Sequence, residues 1–543
     1  MAALKEDVLP TPSGIRDFET DGYQSNLADL MIGRQLRAGR ASATALVFGG
    51  QNFTYQDLAR AALAFQRRLL PLVNFGDHVA IMMPDCPNFA GVFLGAVAAG
   101  AIASPLNPRL ALPDISSLLK RMRPSVVVVP PDSAHELHNL LKELRVQVLV
   151  ADTEGLESIA ETWDPNALIG GGDDNAYCLF SSGTTGQPKG VIHDHRAVLA
   201  CLRAFEGGVF PIRSNDRIMA VPKLTFGYGL VGNLMFALLR GGSSILHREP
   251  YQLDTFVRAI ERDRPTVLLG QPRAFAQMIE HNVAPRSLES IAVCLSAGEK
   301  LDAALYGRWV SRYNIPLIDV IGATELGHVF IANRPGFERP GSAGQLLPGY
   351  EARVVKEDGT LADVDERGEL FVRGEGMTKR YCKDPERTAD LASRQWIQTG
   401  DLFSSSADGY YTMHGRVDDL IKVGCGQWIT PAELEAVLAN DAEVFESAVV
   451  GGTNHDGLVE VCAFLVPVPE TVDTDRLVER LRSALRERWP GESHKHIEDF
   501  RMIEQIPRTI NGKIDRRALR ARREWKTDFN SQFYCSQGQA HNS

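Results

Sequence analysis

The sequence has no run of like charge long enough to act as a binding tail, although its net charge is −10. A large nucleic-acid footprint is therefore not expected, because neutralising a phosphate backbone needs a clustered basic face. The eight cysteines (Cys86, Cys178, Cys201, Cys294, Cys382, Cys425, Cys462 and Cys535) include no C-x-x-C pair. That spacing argues against both a zinc site and a disulfide framework. The opening residues MAALKEDVLP lack a basic segment followed by an apolar one, so no signal peptide is read and the cytoplasm is the expected compartment. One uncharged stretch, Cys86 to Pro108, is long enough to span a membrane. Its Gly91, Gly95 and Gly100 and the Ser104-Pro105 break suit a packed helix followed by a buried strand better, so no membrane insertion is expected.

What is present is an ordinary soluble composition, 44% apolar and 23% charged, in a chain of 543 residues that is too long for one core. The first half alternates strand and helix. Thr54 and Asp57 form a capping-box pattern ahead of an amphipathic helix to Leu70, and strands are read at His78 to Met83, Ile102 to Pro105, Ser125 to Val129 and Val146 to Val150. Helices are read at Asn88 to Ala99, from Pro113, and over Ala134 to Leu144. Three later strands end in small or polar residues: Gly270-Gln271-Pro272, Ser296-Ala297-Gly298-Glu299 and Gly322-Ala323-Thr324-Glu325. Ligands collect outside such carboxyl ends in open α/β sheets. The expected class is α/β: a large N-terminal domain (1–415) of doubly wound, mostly parallel sheets with a β-rich subdomain from about Ser342, and a small α+β C-terminal lid (416–525). A polar tail, 526–543, is expected to lack order.

The segment Ser181 to Gly190, SSGTTGQPKG, holds three glycines, four hydroxyls and Lys189. It follows the strand-like Ala176 to Phe180 and precedes a helix after Asp194, so a loop at the carboxyl end of a strand is expected. There, freed N–H groups and hydroxyls could cradle phosphate. It fails the Walker pattern, with Pro188 in place of the second glycine and Gly190 in place of the magnesium-binding hydroxyl. A flexible surface loop is the competing reading.

SSGTTGQPKG, GATE (Gly322 to Glu325), TGD (Thr399 to Asp401), GRVDDLIK (Gly415 to Lys422) and PRTINGKIDR (Pro507 to Arg516) occur in that order. The set resembles the adenylate-forming superfamily of acyl-CoA synthetases, peptide-synthetase adenylation domains and firefly-type luciferases. KLTFGYG (Lys223 to Gly229), IGATELGHVFIANRPG (Ile321 to Gly336) and LLPGYE (Leu346 to Glu351) look most like aryl-CoA ligases for benzoate and, more closely, anthranilate. The resemblance implies ATP, Mg2+ and coenzyme A as co-substrates and cofactor, a small aromatic carboxylic acid as substrate, and a mobile C-terminal domain. A monomer and a homodimer are both compatible with it.

The same resemblance implies that Ser181, Ser182, Gly183, Thr184, Thr185, Gly186 and Lys189 hold the β- and γ-phosphates, with Thr185 also catalytic. Glu325 would ligate Mg2+, a hard ion suited to a carboxylate with water and phosphate oxygens. Asp401 would grip the ribose, Arg416 the ribose or α-phosphate, and Asp319 the adenine amino group, with Gly322, Thr324 and Lys422 also at the nucleotide. Lys513 would bridge the substrate carboxylate and α-phosphate, and Asp418 would be the hinge between two orientations of the C-terminal domain. Phe226, Tyr228, Gly298, Ala323 and His328 would line the aryl pocket. For His328, a satisfied core histidine is the competing reading. The Lys422 to Pro431 loop is one residue longer than in many relatives, and its Cys425 is read as a small loop residue rather than a nucleophile. Two other classes stand beside the ligase: a stand-alone adenylation enzyme loading a carrier protein, and a non-catalytic relative, which should have lost Lys513 or Glu325.

Overall fold

The computed structural model describes residues 25–182, 188–423, 428–453, 459–468, 471, 473–508 and 514–524. They fall into two compact units, Met1–Thr399 with Ser404–Thr412, and Gly400–Phe403 with Met413–Ser543.

In the first unit, apolar runs without alternation become strands buried on both faces. Val126–Val129, four valines, is fully buried next to His78–Ile81. Their sheet runs Gln147–Val150, Val126–Val129, His78–Ile81, Ile102–Pro105, Asn175–Ser182, Pro188–Asp194, Arg380–Tyr381. It is parallel up to Asn175–Ser182, and the last two strands join antiparallel. A second sheet is parallel from Thr44–Phe48 through Ser243–Leu246, Arg217–Ala220, Val267–Gly270 and Val293–Ser296 to Leu317–Gly322. It turns antiparallel at Val329–Ala332 and Gly344–Leu346. The sheets are therefore mixed: a short connection returns the chain antiparallel, whereas parallel neighbours need a crossover. Because Val267–Gly270, Val293–Ser296 and Leu317–Gly322 are parallel neighbours, their polar carboxyl ends lie along one sheet rim.

Helix Tyr55–Leu69 starts with the capping box read from sequence: Asp57 N–H donates to Thr54 Oγ1 and Thr54 N–H to Asp57 Oδ2. It packs against Pro87–Ala98, which is buried all round. A Cβ on Gly95 would lie 2.7 Å from Phe65 Cβ and 2.8 Å from the Ala62 carbonyl, so only glycine permits this approach. The uncharged stretch is thus a packed helix and a buried strand, and no described helix is long and apolar enough to cross a membrane. The helix expected over Ala134 to Leu144 is instead two short ones, Pro131–Glu136 and His138–Glu143. The first begins earlier because Pro131 presets a first-turn φ, and the break falls at Leu137, whose side chain is buried.

The second unit pairs Val444–Thr453 antiparallel with Val459–Pro467, which pairs parallel with Asp499–Met502. Helices Pro431–Leu438 and Thr474–Arg488 cover one face through Leu434, Leu438, Leu477, Leu481 and Leu485. A charged knot ties this unit together. Arg516 makes two bonds to Glu435, at 2.6 and 3.0 Å, and one to the Val449 carbonyl at 2.8 Å, and it lies 3.2 Å from Asp419. Burial opposes the Arg516 charge, and Glu435 and then Asp419 more than offset it, so its pKa stands above the usual arginine value. Removing one member of such a knot strands the other charge, so Arg516→Leu should destabilise this unit by about 3–5 kcal/mol. Hydrogen exchange of strand Val444–Thr453 under native conditions reads that loss directly, and unchanged protection would show that the knot is dispensable.

Candidate active site

The two ends of the predicted phosphate segment, at Ser181 and Ser182 and at Pro188 to Gly190, lie in the antiparallel strands Asn175–Ser182 and Pro188–Asp194, so a strand intervenes before the helix. Residues 188–194 keep strand alternation, and the helix His195–Gly208 begins only after Asp194, whose carboxylate caps the Ala197 N–H at 2.9 Å. Ser181 pairs with Lys189, Leu179 with Val191 and Tyr177 with His193, so these six share one face. Gly183, Thr184, Thr185 and Gly186 lie outside the described residues, as do the Ser182 side chain, Cys425 and Lys513.

That hairpin face meets the Gly322 to His328 turn. Glu325, in a 3-10 turn after strand Leu317–Gly322, is buried, forms an ion pair with Lys189 and accepts a hydrogen bond from Ser181 Oγ at 3.3 Å. Its backbone carbonyl accepts from Thr378 N–H at 2.8 Å. His193 reaches the neighbouring peptide: the Thr324 carbonyl can only accept, so His193 Nε2 donates to it at 2.7 Å. Burial holds the His193 pKa below its ordinary value, and its ring stacks on Tyr177 at 5.1 Å. The oxygens gathered here are the Glu325 carboxylate and the Ser181 hydroxyl, hard ligand atoms that fit Mg2+, which keeps waters and phosphate oxygens as its other ligands.

Three residues beyond Glu325 the same turn presents His328 among aromatic rings. Its ring centroid is 4.8 Å from Phe236, 5.8 Å from Tyr228 and 6.3 Å from Phe205. Both ring nitrogens are buried without a hydrogen-bond partner among the described residues, the Tyr228 backbone lying near but outside good hydrogen-bond geometry. Burial lowers the His328 pKa to about 3. The Tyr228 hydroxyl donates to the Leu295 carbonyl at 3.1 Å, which ties it to the end of strand Val293–Ser296. Ala323 N–H donates to the His328 carbonyl at 3.3 Å. A Cβ on Gly322 would lie 2.8 Å from that same carbonyl. Gly298 is exposed at φ +92°, a conformation that favours glycine, and Phe226 is half-buried just before the helical segment Gly227–Gly229. Asp319 is buried with its pKa raised well above the ordinary carboxyl value by burial, against the Leu301 backbone N–H.

The remaining predicted residues belong to the second unit. Arg416 Nη1 donates to Asp401 Oδ1 at 2.8 Å, and Gly400, at the glycine-favouring φ of +72°, lies against the guanidinium, where a Cβ would come 2.9 Å from Arg416 Nη2. Asp418 is exposed in the 3-10 turn Val417–Asp419, whereas its neighbour Asp419 is engaged by Arg516. Lys422 is exposed, its ammonium 5.1 Å from the centre of the Trp428 ring.

Comparison with known proteins places this geometry. The family description "AMP-binding enzyme" matches residues 34–382, and "AMP-binding enzyme C-terminal domain" matches 433–513. The chain belongs to the AMP-binding enzyme family. Among curated members of this family, the 3-hydroxybenzoate–CoA ligase of Aromatoleum sp. (strain CIB) is 32% identical over 511 residues, 91% of this chain and 96% of that one. The benzoate–CoA ligase of Thauera aromatica is 31% identical over 518 residues, again 91% and 96%. The crystal structure of the anthranilate CoA ligase AuaEII with anthranoyl-AMP aligns with TM-score 0.83 at 29% identity, over 92% of this chain and 97% of that one.

In this AMP-binding enzyme, sequence reading missed His193 and the Lys189–Glu325 pair. Period-two alternation from Lys189 through Val191 would have put His193 on the same face as Lys189. Nothing local indicated that Glu325 is its partner, since the two lie on different sheets.

A buried, unpartnered histidine also makes the fold acid-sensitive. The unfolded chain protonates His328 near its ordinary 6.5, the folded chain only near 3. Its contribution is therefore complete above pH 6.5 and is lost as the pH falls toward 3. Between neutral pH and about pH 4.5 the native state should lose about 2–3 kcal/mol to this one group. His328→Phe should flatten that part of the stability–pH profile in urea titrations; an unchanged acid limb would place the sensitivity elsewhere.

Proposed function

We propose that the protein is an AMP-forming ligase that activates an aromatic carboxylic acid as an acyl-adenylate and transfers the acyl group to the thiol of coenzyme A. The observation that carries this reading is the Gly322 to His328 turn. It holds a phosphate-side cluster (Glu325 with Ser181 and Lys189) and an aromatic compartment (His328 with Tyr228) three residues apart. Activation chemistry and a flat-ring site thus share one short segment.

In the first half-reaction a carboxylate oxygen attacks the α-phosphorus and pyrophosphate leaves. Charge spreads over the phosphate oxygens, so positioned donors and cations stabilise the transition state. Ser181 and Lys189 face the departing pyrophosphate, with Thr185 expected to add a hydroxyl, and Lys513 is the cation expected at the substrate carboxylate and α-phosphate. Glu325 would hold Mg2+, which when bound would neutralise charge on the phosphates. In the second half-reaction the thiolate of coenzyme A attacks the acyl carbon and AMP leaves. Asp418, exposed in a short turn, suits a hinge, which need only absorb a backbone rotation. Asp401, with its partner Arg416, suits the ribose hydroxyls, for which an ionised acceptor is the natural match.

For the acid itself, anthranilate is the preferred substrate and benzoate the next. The support is His328: a neutral imidazole with an unused acceptor and an unused donor favours a ring carrying a polar substituent, whose desolvation it would offset.

Purified protein given ATP, Mg2+, coenzyme A and a panel of aryl and fatty acids should release AMP and form thioester with the aryl acids. AMP release with fatty acids alone would refute the aryl reading. His328→Phe should lower kcat/KM for anthranilate by about 10- to 100-fold, the cost of an unpaired polar group, while benzoate changes far less. Equal losses for both acids would remove His328 from substituent recognition. The two half-reactions should also separate. Lys513→Ala should lose adenylation yet still convert supplied acyl-adenylate to thioester. Asp418→Pro, which fixes φ, should spare pyrophosphate exchange and abolish thioester formation. Parallel losses in both half-reactions would contradict those roles.

A further inference from the structure

The hairpin has a second face. Opposite Lys189 and His193 it carries Cys178, Phe180, Gly190 and Ile192, with Cys178 paired to Ile192 and Phe180 to Gly190. Cys382 directly follows the edge strand Arg380–Tyr381, and its N–H donates to the Gly190 carbonyl at 2.8 Å. Cys178 and Cys382 therefore lie on either side of the strand that contains Gly190. A Cβ at Gly190 would lie 2.7 Å from Cys382 Cβ and 3.2 Å from Cys178 Sγ. The missing side chain is what lets the two sulfurs meet across the middle strand.

His78 closes the group from the strand His78–Ile81, with Nε2 3.4 Å from Cys382 Sγ. The imidazole nitrogen and both sulfurs lie within 4.8 Å of one another, and all three residues are buried. The ring is oriented from behind. Ser104 Oγ donates its one hydrogen to the Ile102 carbonyl at 3.1 Å, so at 2.9 Å from His78 Nδ1 it can only accept. Nδ1 therefore carries the proton and Nε2 turns its lone pair toward the sulfurs, the outer-shell arrangement that fixes a metal-ligating histidine.

Two thiols and an imidazole select soft or borderline cations. Bond lengths of about 2.3 Å to sulfur and about 2.0–2.1 Å to nitrogen give tetrahedral edges of roughly 3.5 Å between nitrogen and sulfur. The Cys382–His78 spacing already has that value within a tenth of an ångström or so. We propose that His78, Cys178 and Cys382 bind one thiophilic cation, Zn2+ or Cu+, on the face of the phosphate hairpin opposite Glu325. Binding displaces the thiol protons and oxidises nothing. Cysteine spacing argued against a zinc site because ligands were sought close together in the chain; these come from three separate strands or strand ends, with His78 and Cys382 304 positions apart.

The test uses the full chain, stripped with chelator, loaded separately with Zn2+ or with Cu+ under reducing conditions, and desalted. Elemental mass spectrometry should find about one ion per chain for at least one of the two metals. Retention should fall at least about tenfold in the C178S/C382S double variant and by about 10- to 100-fold in affinity in S104A, which frees the histidine ring. C201A, a buried cysteine elsewhere, should bind as the parent does. The bound ion should also slow alkylation of Cys178 and Cys382, and of no other cysteine, when the unaltered protein is mapped with iodoacetamide across a urea series that exposes the buried thiols, which decides the matter even if the double variant fails to fold. Stoichiometry below about a tenth with both metals, undiminished binding by C178S/C382S, or protection of other cysteines instead would overturn the proposal.

Discussion

A carboxylate taken out of water needs a counter-charge, and the chain supplies one to Glu325 from a different sheet. Lys189 and Ser181 stand opposite each other on a two-stranded hairpin, and both reach the same carboxylate. This contact ties the sheet that ends in Arg380–Tyr381 to the sheet that contains Leu317–Gly322. Under the proposed function Glu325 would take a cation in place of Lys189 and Ser181, and those two donors would turn to phosphate oxygens, so that no charge is left unpaired. His193 serves the same end by holding the Thr324 peptide that precedes Glu325.

The hairpin thus does two tasks through strand alternation alone. One face, Tyr177, Ser181, Lys189 and His193, meets the Thr324–Glu325 turn; the other, Cys178 and Gly190, meets Cys382 and His78. Glycine is required on both sides of this arrangement, but for different reasons. Gly322 admits the His328 carbonyl beside it, and Gly190 admits two sulfur-bearing side chains across it. A side chain at either would push apart groups that the site needs together.

Much of this was legible in the sequence where the physics is local. The capping box at Thr54 and Asp57, the four valines of Val126–Val129 and the helix-then-strand reading of Cys86 to Pro108 depend on neighbours in the chain, and each stands as read. The placement of Glu325 at a strand end was legible in the chain, and that of Tyr228 near His328 came from the family resemblance. The helix after Asp194 stands as read, but the strand Pro188–Asp194 before it is not recognised, because the glycines and Pro188 mask the alternation of residues 188–194. The Lys189–Glu325 pair, the Arg516–Glu435 knot and the His78, Cys178 and Cys382 group were not legible, since each joins residues brought together only by sheet order or by packing.

Oxygen-18 in the substrate carboxylate tests the adenylate route most directly. If the carboxylate attacks the α-phosphorus, one labelled oxygen stays on that phosphorus when the thioester forms, and mass spectrometry finds it in AMP. Label in inorganic phosphate, with ADP as the nucleotide product, would mean attack at the γ-phosphorus and would contradict the role assigned to the hairpin and Glu325.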